Sequence, residues 1–409
     1  MNIIDKNLKK LLRRIKSALE VGSVEKFRRA RWRYLTSPAA KFCAAKQALL
    51  KVGVHQPTDE AIRALAAQIT VYRANHELVF ARAIAKPSGG TRNVCSFGLR
   101  SRAVQYLLKP LLEVCGVAKG HQYGFCGRSR DDLARFVKEN IESGYAYAVL
   151  LDIADCFGSF DGDAVAGRLP LPRQVVESNM TFHRLEMRTR SRRSRLRRIR
   201  PSAGVAPLRV SPSSPGALRT MSLGGIPQGS AVSNLVAACL LADLIDVVPD
   251  GIPFGQYGDD IIALAKTEEE ACTIRDALCG ALEGHQAGSM VLKRSEVSEI
   301  ADGFDFLGYS FFGSVEDIHI TPSAQNMAKF RSRWRAAVLR DYQLGRYRAY
   351  EARQVAYNLV RGFGAATGLR GVPAAATFKA NHYLLICQTQ KRKPSSSLNP
   401  LTPIRIADP

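Results

Sequence analysis

Three features of the 409-residue chain predict an α+β fold. Apolar residues recur at helical spacing from about residue 5 to 76 and again after Ser323. In the middle, Tyr147-Ala-Val-Leu-Leu-Asp152 and Phe254-Gly-Gln-Tyr-Gly-Asp-Asp-Ile-Ile-Ala-Leu264 are short apolar runs with the character of buried strands. The second reads as a tight hairpin with two acids at its turn.

From the N-terminus, residues 5–51 read as two or three amphipathic helices loaded with Lys and Arg. Thr58 is placed to cap a further helical stretch running to about His76. Val79 to Val94 has strand and hairpin character, a helix is expected over 101–114, and another near Arg130-Asp-Asp132. The strand ending in Asp152 is followed five residues later by Phe157. His183 to Arg200 is almost continuously basic, and Pro201 to Pro215 is rich in Pro, Ser and Gly. Blocks of like charge resist compact folding unless an anion lies across them, so an irregular, nucleic-acid-ordered arm is expected here. Leu223-Gly-Gly-Ile-Pro-Gln-Gly229 is a glycine-rich turn opening an apolar helix that runs to about Val247. Phe304-Asp-Phe-Leu-Gly-Tyr309 is an apolar cluster, and residues 323–368 read as basic helices carrying Trp334, Tyr342, Tyr347 and Tyr350, aromatics expected mainly in a core. The run from Lys391 through Ser397 signals a flexible tail.

Asp259 and Asp260 are adjacent like charges at a turn, which favours a neutralising cation. With Asp152 they supply the oxygen ligands that hard Mg²⁺ requires, with Mn²⁺ as the alternative ion. Two such ions clamp the attacking and leaving oxygens of a phosphoryl transfer.

In chain order, strand-borne Asp152, Pro227-Gln-Gly229 and Tyr257-Gly-Asp-Asp260 resemble motifs A, B and C of reverse transcriptases. The resemblance extends over most of the chain. Lys86-Pro-Ser-Gly-Gly-Thr-Arg92 is similar to the fingers hairpin that grips the incoming triphosphate, and a basic pair around a Gly-Gly turn suits phosphate. His121-Gln-Tyr-Gly-Phe125 looks like the segment that follows it. Lys293 and Arg294 are two candidates for the motif D cation, and Phe306, Leu307, Gly308 and Tyr309 fall on the primer grip. Residues 11–45 resemble the helical N-terminal extension of group II intron enzymes, which points to the bacterial branch. Asn234 and Gly258 depart from common family residues without touching the acids.

This resemblance implies a right-hand polymerase fold: a helical extension over 1–54, fingers over 55–145, and a ferredoxin-like palm over 146–315 with a basic insertion at about 165–220. A helical thumb over 316–390 and a tail over 391–409 complete it. It implies catalytic Asp152, Asp259 and Asp260, a metal site of these acids with Ile153, and nucleotide contacts from Lys86, Arg92, Phe157, Gln228, Gly229 and Lys293 or Arg294. The implied activity is synthesis of a cDNA product from dNTPs on a structured non-coding RNA template, in a stand-alone bacterial enzyme of the defence-associated type. Two other readings stay open: an RNA-dependent RNA polymerase, which shares Tyr-Gly-Asp-Asp, and an RNA-binding, maturase-like scaffold. Phe157 argues for dNTPs, because a flat apolar wall leaves a ribose 2′-hydroxyl unpaired at a cost of about 1–3 kcal/mol.

A net charge of +23 favours polyanionic partners. Arg188, Arg190, Arg192, Arg193, Arg195, Arg197 and Arg198 are the expected RNA-binding set, since guanidinium groups suit phosphate forks and unpaired bases. The longest apolar run is interrupted by Asp243 and Asp246, so no membrane partner is expected. Nine scattered cysteines without a Cys-x-x-Cys pair point to a reducing cytoplasm, with neither a zinc site nor a disulfide framework.

Overall fold

The structure, a computed structural model, describes residues 3–73, 76–85, 91–116, 119–125, 127–189, 198–199, 225–346, 348–363, 367 and 372–391. The chain divides into two compact units, Met1–Ile300 and Ala301–Pro409. Residues 301–315, assigned to the palm from sequence, therefore group with the C-terminal helices.

The first unit opens with three helices, α1 (Ile3–Glu20), α2 (Val24–Thr36) and α3 (Pro38–Lys51). Ser23 and Ser37 cap α2 and α3 by accepting from the Lys26 and Ala40 amides. Thr58 caps α4 (Asp59–Ala67). That helix ends well before His76, because the β-branched run Ile69-Thr70-Val71 is a poor continuation. Strands β1 (Val79–Ala85) and β2 (Thr91–Ser96) pair antiparallel, followed by α5 (Leu99–Val114) and α6 (Arg130–Glu142), the latter held by a Ser129/Asp132 capping box.

The central strand β3 (Tyr147–Ala154) leads into the short helices α7 (Cys156–Ser159), α8 (Gly162–Arg168) and α9 (Arg173–Asn179). Then come β4 (Met187–Thr189), β5 (Arg198–Ile199), α10 (Ser233–Leu240), β6 (Phe254–Tyr257), β7 (Asp260–Ala265), α11 (Glu268–Glu283) and β8 (Val291–Glu299). The helix expected to reach Val247 is α10 followed by a tighter 3₁₀ turn over Ala242–Val247. Strands β6, β7, β3 and β8 form an antiparallel sheet in that order. Ala148, Val149, Leu150 and Leu151 of β3 are buried, with α11 packed on β3, β7 and β8. Each fully buried Val or Leu contributes about 1.5–3 kcal/mol, so this strand is a rigid platform for whatever stands at its end.

A second sheet has the order β2-β1-β4-β5. Met187 is buried with Val79, Ala81, Cys95, Phe97 and Leu185, so both ends of the arginine-rich stretch enter a sheet where the sequence suggested an irregular arm. Met187 is the apolar anchor that the surrounding charge obscured.

In the second unit, β9 (Phe304–Phe306), β10 (Tyr309–Gly313) and β11 (Ile318–Pro322) form a sheet in the order β11-β10-β9. Helices α12 (Ala324–Gln343), α13 (Tyr350–Phe363) and α14 (Val372–Lys391) follow. Trp334 is buried with Val338, Ala352 and Leu384, while Tyr342 is half-buried, Tyr350 is exposed and Tyr347 lies outside the described residues. Asp341 is fully buried. It accepts from the Glu351 and Ala352 amides and from Arg346, which fixes the start of α13. Among the described residues no helix is long and apolar enough to cross a membrane.

Candidate active site

Strand pairing brings the three acids together. Asp152 lies opposite Asp260 across β3 and β7, and residues so paired have Cβ atoms about 4.5–5.5 Å apart. Tyr257 pairs with Asp260, leaving Gly258 and Asp259 as a two-residue turn. The Ile153 amide donates to the Asp259 carbonyl at 3.2 Å and ties that turn to β3. Ile153 itself is buried and apolar, so a carbonyl oxygen is all it can offer an ion.

Burial is the first cause that raises the Asp259 carboxyl above the usual range, with Asp152 adding to it. The Asp260 carboxyl is pushed up to about 7 by burial and by its two acidic neighbours. Cys156, buried beside these acids, has its thiol pushed far up for the same reasons. Two half-buried carboxyls that resist ionisation, with a third acid on the adjacent strand, form an all-oxygen donor set suited to a hard divalent cation. Among the described residues no group of three His, Cys, Asp or Glu side chains closes into a metal-holding cluster, so the acids are neighbours on one framework without being a finished cage.

The two motif D candidates part company. Between Asp152 and Ile153 the register with β8 shifts, leaving Lys293 as the extra residue of a bulge. Its ammonium sits on the Asp152 carboxylate, whereas Arg294 turns to Glu296.

Other predicted residues gather around the acids. Phe157, on α7, is half-buried against the core, and its carbonyl accepts from the Ile226 amide at 2.9 Å, just ahead of Pro227-Gln-Gly229. The Gln228 carbonyl accepts from the Cys95 amide at 2.7 Å, which fastens β2 to the Gln-Gly turn. Gly229 has φ +104°, and a Cβ there would stand 2.4 Å from the Cys95 carbonyl oxygen. Arg92, exposed on β2, is close enough for its charge to favour the ionised form of Asp259.

Phe306, Leu307, Gly308 and Tyr309 belong to the second unit. There, Phe306 and Tyr309 are buried, and Leu307 and Gly308 make a left-handed turn whose Gly308 carbonyl accepts from Asn326 Nδ2 and the Ser323 amide. Lys86, Arg190, Arg192, Arg193, Arg195 and Arg197 lie outside the described residues. Positions 188 and 198 are backbone partners across β4 and β5.

Sequence reasoning missed the amide pair Gln122 and Gln256, both buried beside the acidic turn and hydrogen-bonded to each other at 2.9 Å. Both stand inside motifs read from the sequence, yet nothing in an isolated Gln signals that its partner is 134 positions away.

No family model matches the sequence, and no curated protein matches it. Solved structures do. Apo telomerase from Candida tropicalis, truncated from its C-terminal domain, is similar with a TM-score of 0.41 and 10% identity, over 61% of this chain and 56% of that one. Telomerase from Candida albicans, in complex with a TWJ fragment of telomeric RNA, is similar with a TM-score of 0.44 and 11% identity, over 79% of this chain and 59% of that one. The chain thus spans less than two thirds of either telomerase chain.

Proposed function

We propose that the chain is an RNA-directed DNA polymerase. One observation carries the reading: Asp152 and Asp260 are paired across β3 and β7 with Asp259 in the adjoining turn, and Gln228-Gly229, Phe157 and Arg92 are gathered by main-chain bonds and charge at the same place. The strand order β6-β7-β3-β8, with α11 joining β7 to β8, supports a ferredoxin-like palm beneath them.

Asp152, Asp259 and Asp260 would hold Mg²⁺, which when bound lowers the pKa of a primer hydroxyl and neutralises developing phosphate charge. Lys293 is paired with Asp152, and with the acids holding a cation its ammonium would be free to take the leaving phosphates. Arg92 sits on the hairpin side as a phosphate fork. Gln228 and Gly229 shape the floor under the templating base, and Phe157 closes the space beside the sugar C2′. The basic surface and the arginine stretch suit a structured RNA template.

Primer extension on an RNA template with dNTPs and Mg²⁺ tests the reading. Asp259→Asn or Asp260→Asn should lower incorporation by on the order of a thousandfold, since metal-borne charge stabilisation is worth several kcal/mol. Polymerisation surviving in the double variant would sink the assignment. Incorporation of rNTPs in preference to dNTPs would turn it towards an RNA polymerase.

A further inference from the structure

We infer that the buried amide pair Gln122–Gln256 is a positioning device that sets the acidic turn in register with α10; this rests on reading Asp259 and Asp260 as the active-site acids. Gln122 is 2% exposed and Gln256 1%. Gln256 Nε2 donates to the Gly258 carbonyl at 3.0 Å, and Gln256 Oε1 accepts from Gln122 Nε2 at 2.9 Å. The second proton of Gln122 Nε2 goes to the Ala238 carbonyl at 2.7 Å, and Gln122 Oε1 accepts from the Lys119 amide at 2.9 Å. That Lys119 amide can only donate, so it fixes which end of the Gln122 amide faces Ala238. Main-chain bonds flank the pair: the Gln256 amide donates to the His121 carbonyl at 2.9 Å, and the Tyr123 amide to the Gln256 carbonyl at 2.8 Å. Four pieces of chain meet at two side chains: residues 119–123, the last turn of α10, strand β6 and the acidic turn.

The need for such a clamp follows from Gly258. A glycine rotates with little penalty, and here it has φ +67° with open space where a side chain would be. Rotation of the Gly258–Asp259 peptide would swing the Asp259 carboxyl away from Asp152. The bond from Gln256 to the Gly258 carbonyl opposes that rotation. Ala238 O lies among the terminal carbonyls of α10, which a helix leaves without internal donors, and α10 begins just after Gln228-Gly229. One amide pair therefore registers the floor of the site against its acids. Two apolar side chains of similar volume would fill the same space without specifying an orientation.

Gln256→Met keeps length and volume and removes every side-chain bond. It should lower kcat in primer extension by between about tenfold and a hundredfold with KM for dNTP within about twofold, the size expected of a displaced catalytic group. Without nucleic acid, Mn²⁺ affinity read by electron paramagnetic resonance should weaken, and hydrogen–deuterium exchange of segment 254–264 should quicken. Gln122→Met, which leaves the bond to Gly258 in place, should move all three in the same direction by less, and serves as the test should Gln256→Met not fold. A Gln256→Met protein of lower Tm with wild-type kcat, Mn²⁺ affinity and exchange would make the pair plain core and overturn the inference. An active Asp259→Asn variant would instead overturn the reading on which it rests.

Discussion

Phe157 leaves β3 through Asp155, a left-handed residue at φ 47°, and keeps its ring half-buried. Aspartate is among the few non-glycine residues that adopt this region, and the bend it makes turns the chain from β3 into α7 just before the Phe157 ring. Phe157→Ala is expected to lower discrimination between dNTP and rNTP by at least about tenfold, which is what one apolar group in a pocket is worth. Steady-state incorporation of each, compared as kcat/KM, reads it; an unchanged ratio would return the ring to a purely packing role. His121 offers a second residue-scale test. Burial first, then the Arg128 guanidinium, push its imidazole down to about 4, with Asp246 opposing and Lys119 adding a smaller push, and its Nε2 is buried with no hydrogen-bond partner among the described residues. The folded chain holds it neutral while the unfolded chain protonates near about 6.5. Stability from this group is therefore full above about 6.5, declines as pH falls towards 4 and levels off below that. The raised carboxyls of Asp259 and Asp260 slope the other way over the same window, so the denaturant midpoint of His121→Phe should rise less, or fall more, with increasing pH than that of the wild type.

At the scale of elements, the turns divide into those that need glycine for space and those that need it only for torsion. Gly229→Ala is expected to cost about 1–3 kcal/mol and most of the polymerase activity, because its Cβ collides with the Cys95 carbonyl in addition to the φ penalty. Gly258→Ala meets nothing within 4 Å and should cost only about 1–2 kcal/mol of left-handed strain with activity retained. Chemical denaturation and primer extension on the two variants separate them. What was legible in the sequence follows the same division. Helices with side-chain caps, at Thr58, Ser129 and Ser323, could be read because cap and period are local. The strands carrying Asp152 and Asp260 were legible from unbroken apolar runs. The pairing of β4 with β1 was not, since a parallel contact between Val79 and Met187 leaves no local mark. Nor were the different partners of Lys293 and Arg294, which follow from a bulge.

For the whole molecule, a net charge of +23 would make the proposed binding to RNA strongly salt-dependent. Replacing several of Arg188, Arg190, Arg192, Arg193, Arg195, Arg197 and Arg198 by Ser should weaken RNA binding and flatten the log–log salt slope by about one unit for each phosphate no longer neutralised. Extension of a short preformed primer–template should survive, because the acids and their strands are untouched. Equal impairment on both substrates would show that the stretch does not select RNA. The bonds that join the pieces around the acids have a different consequence. Cys95 to Gln228 and Ile153 to Asp259 run from amide to carbonyl, so no codon change short of proline can delete them. Replacing Cys95 by Ser, Ala or Val would leave the amide that makes the first of these bonds in place. A protein assembled this way can diverge in sequence until little beyond its acids and glycines is shared, and still inherit the same geometry.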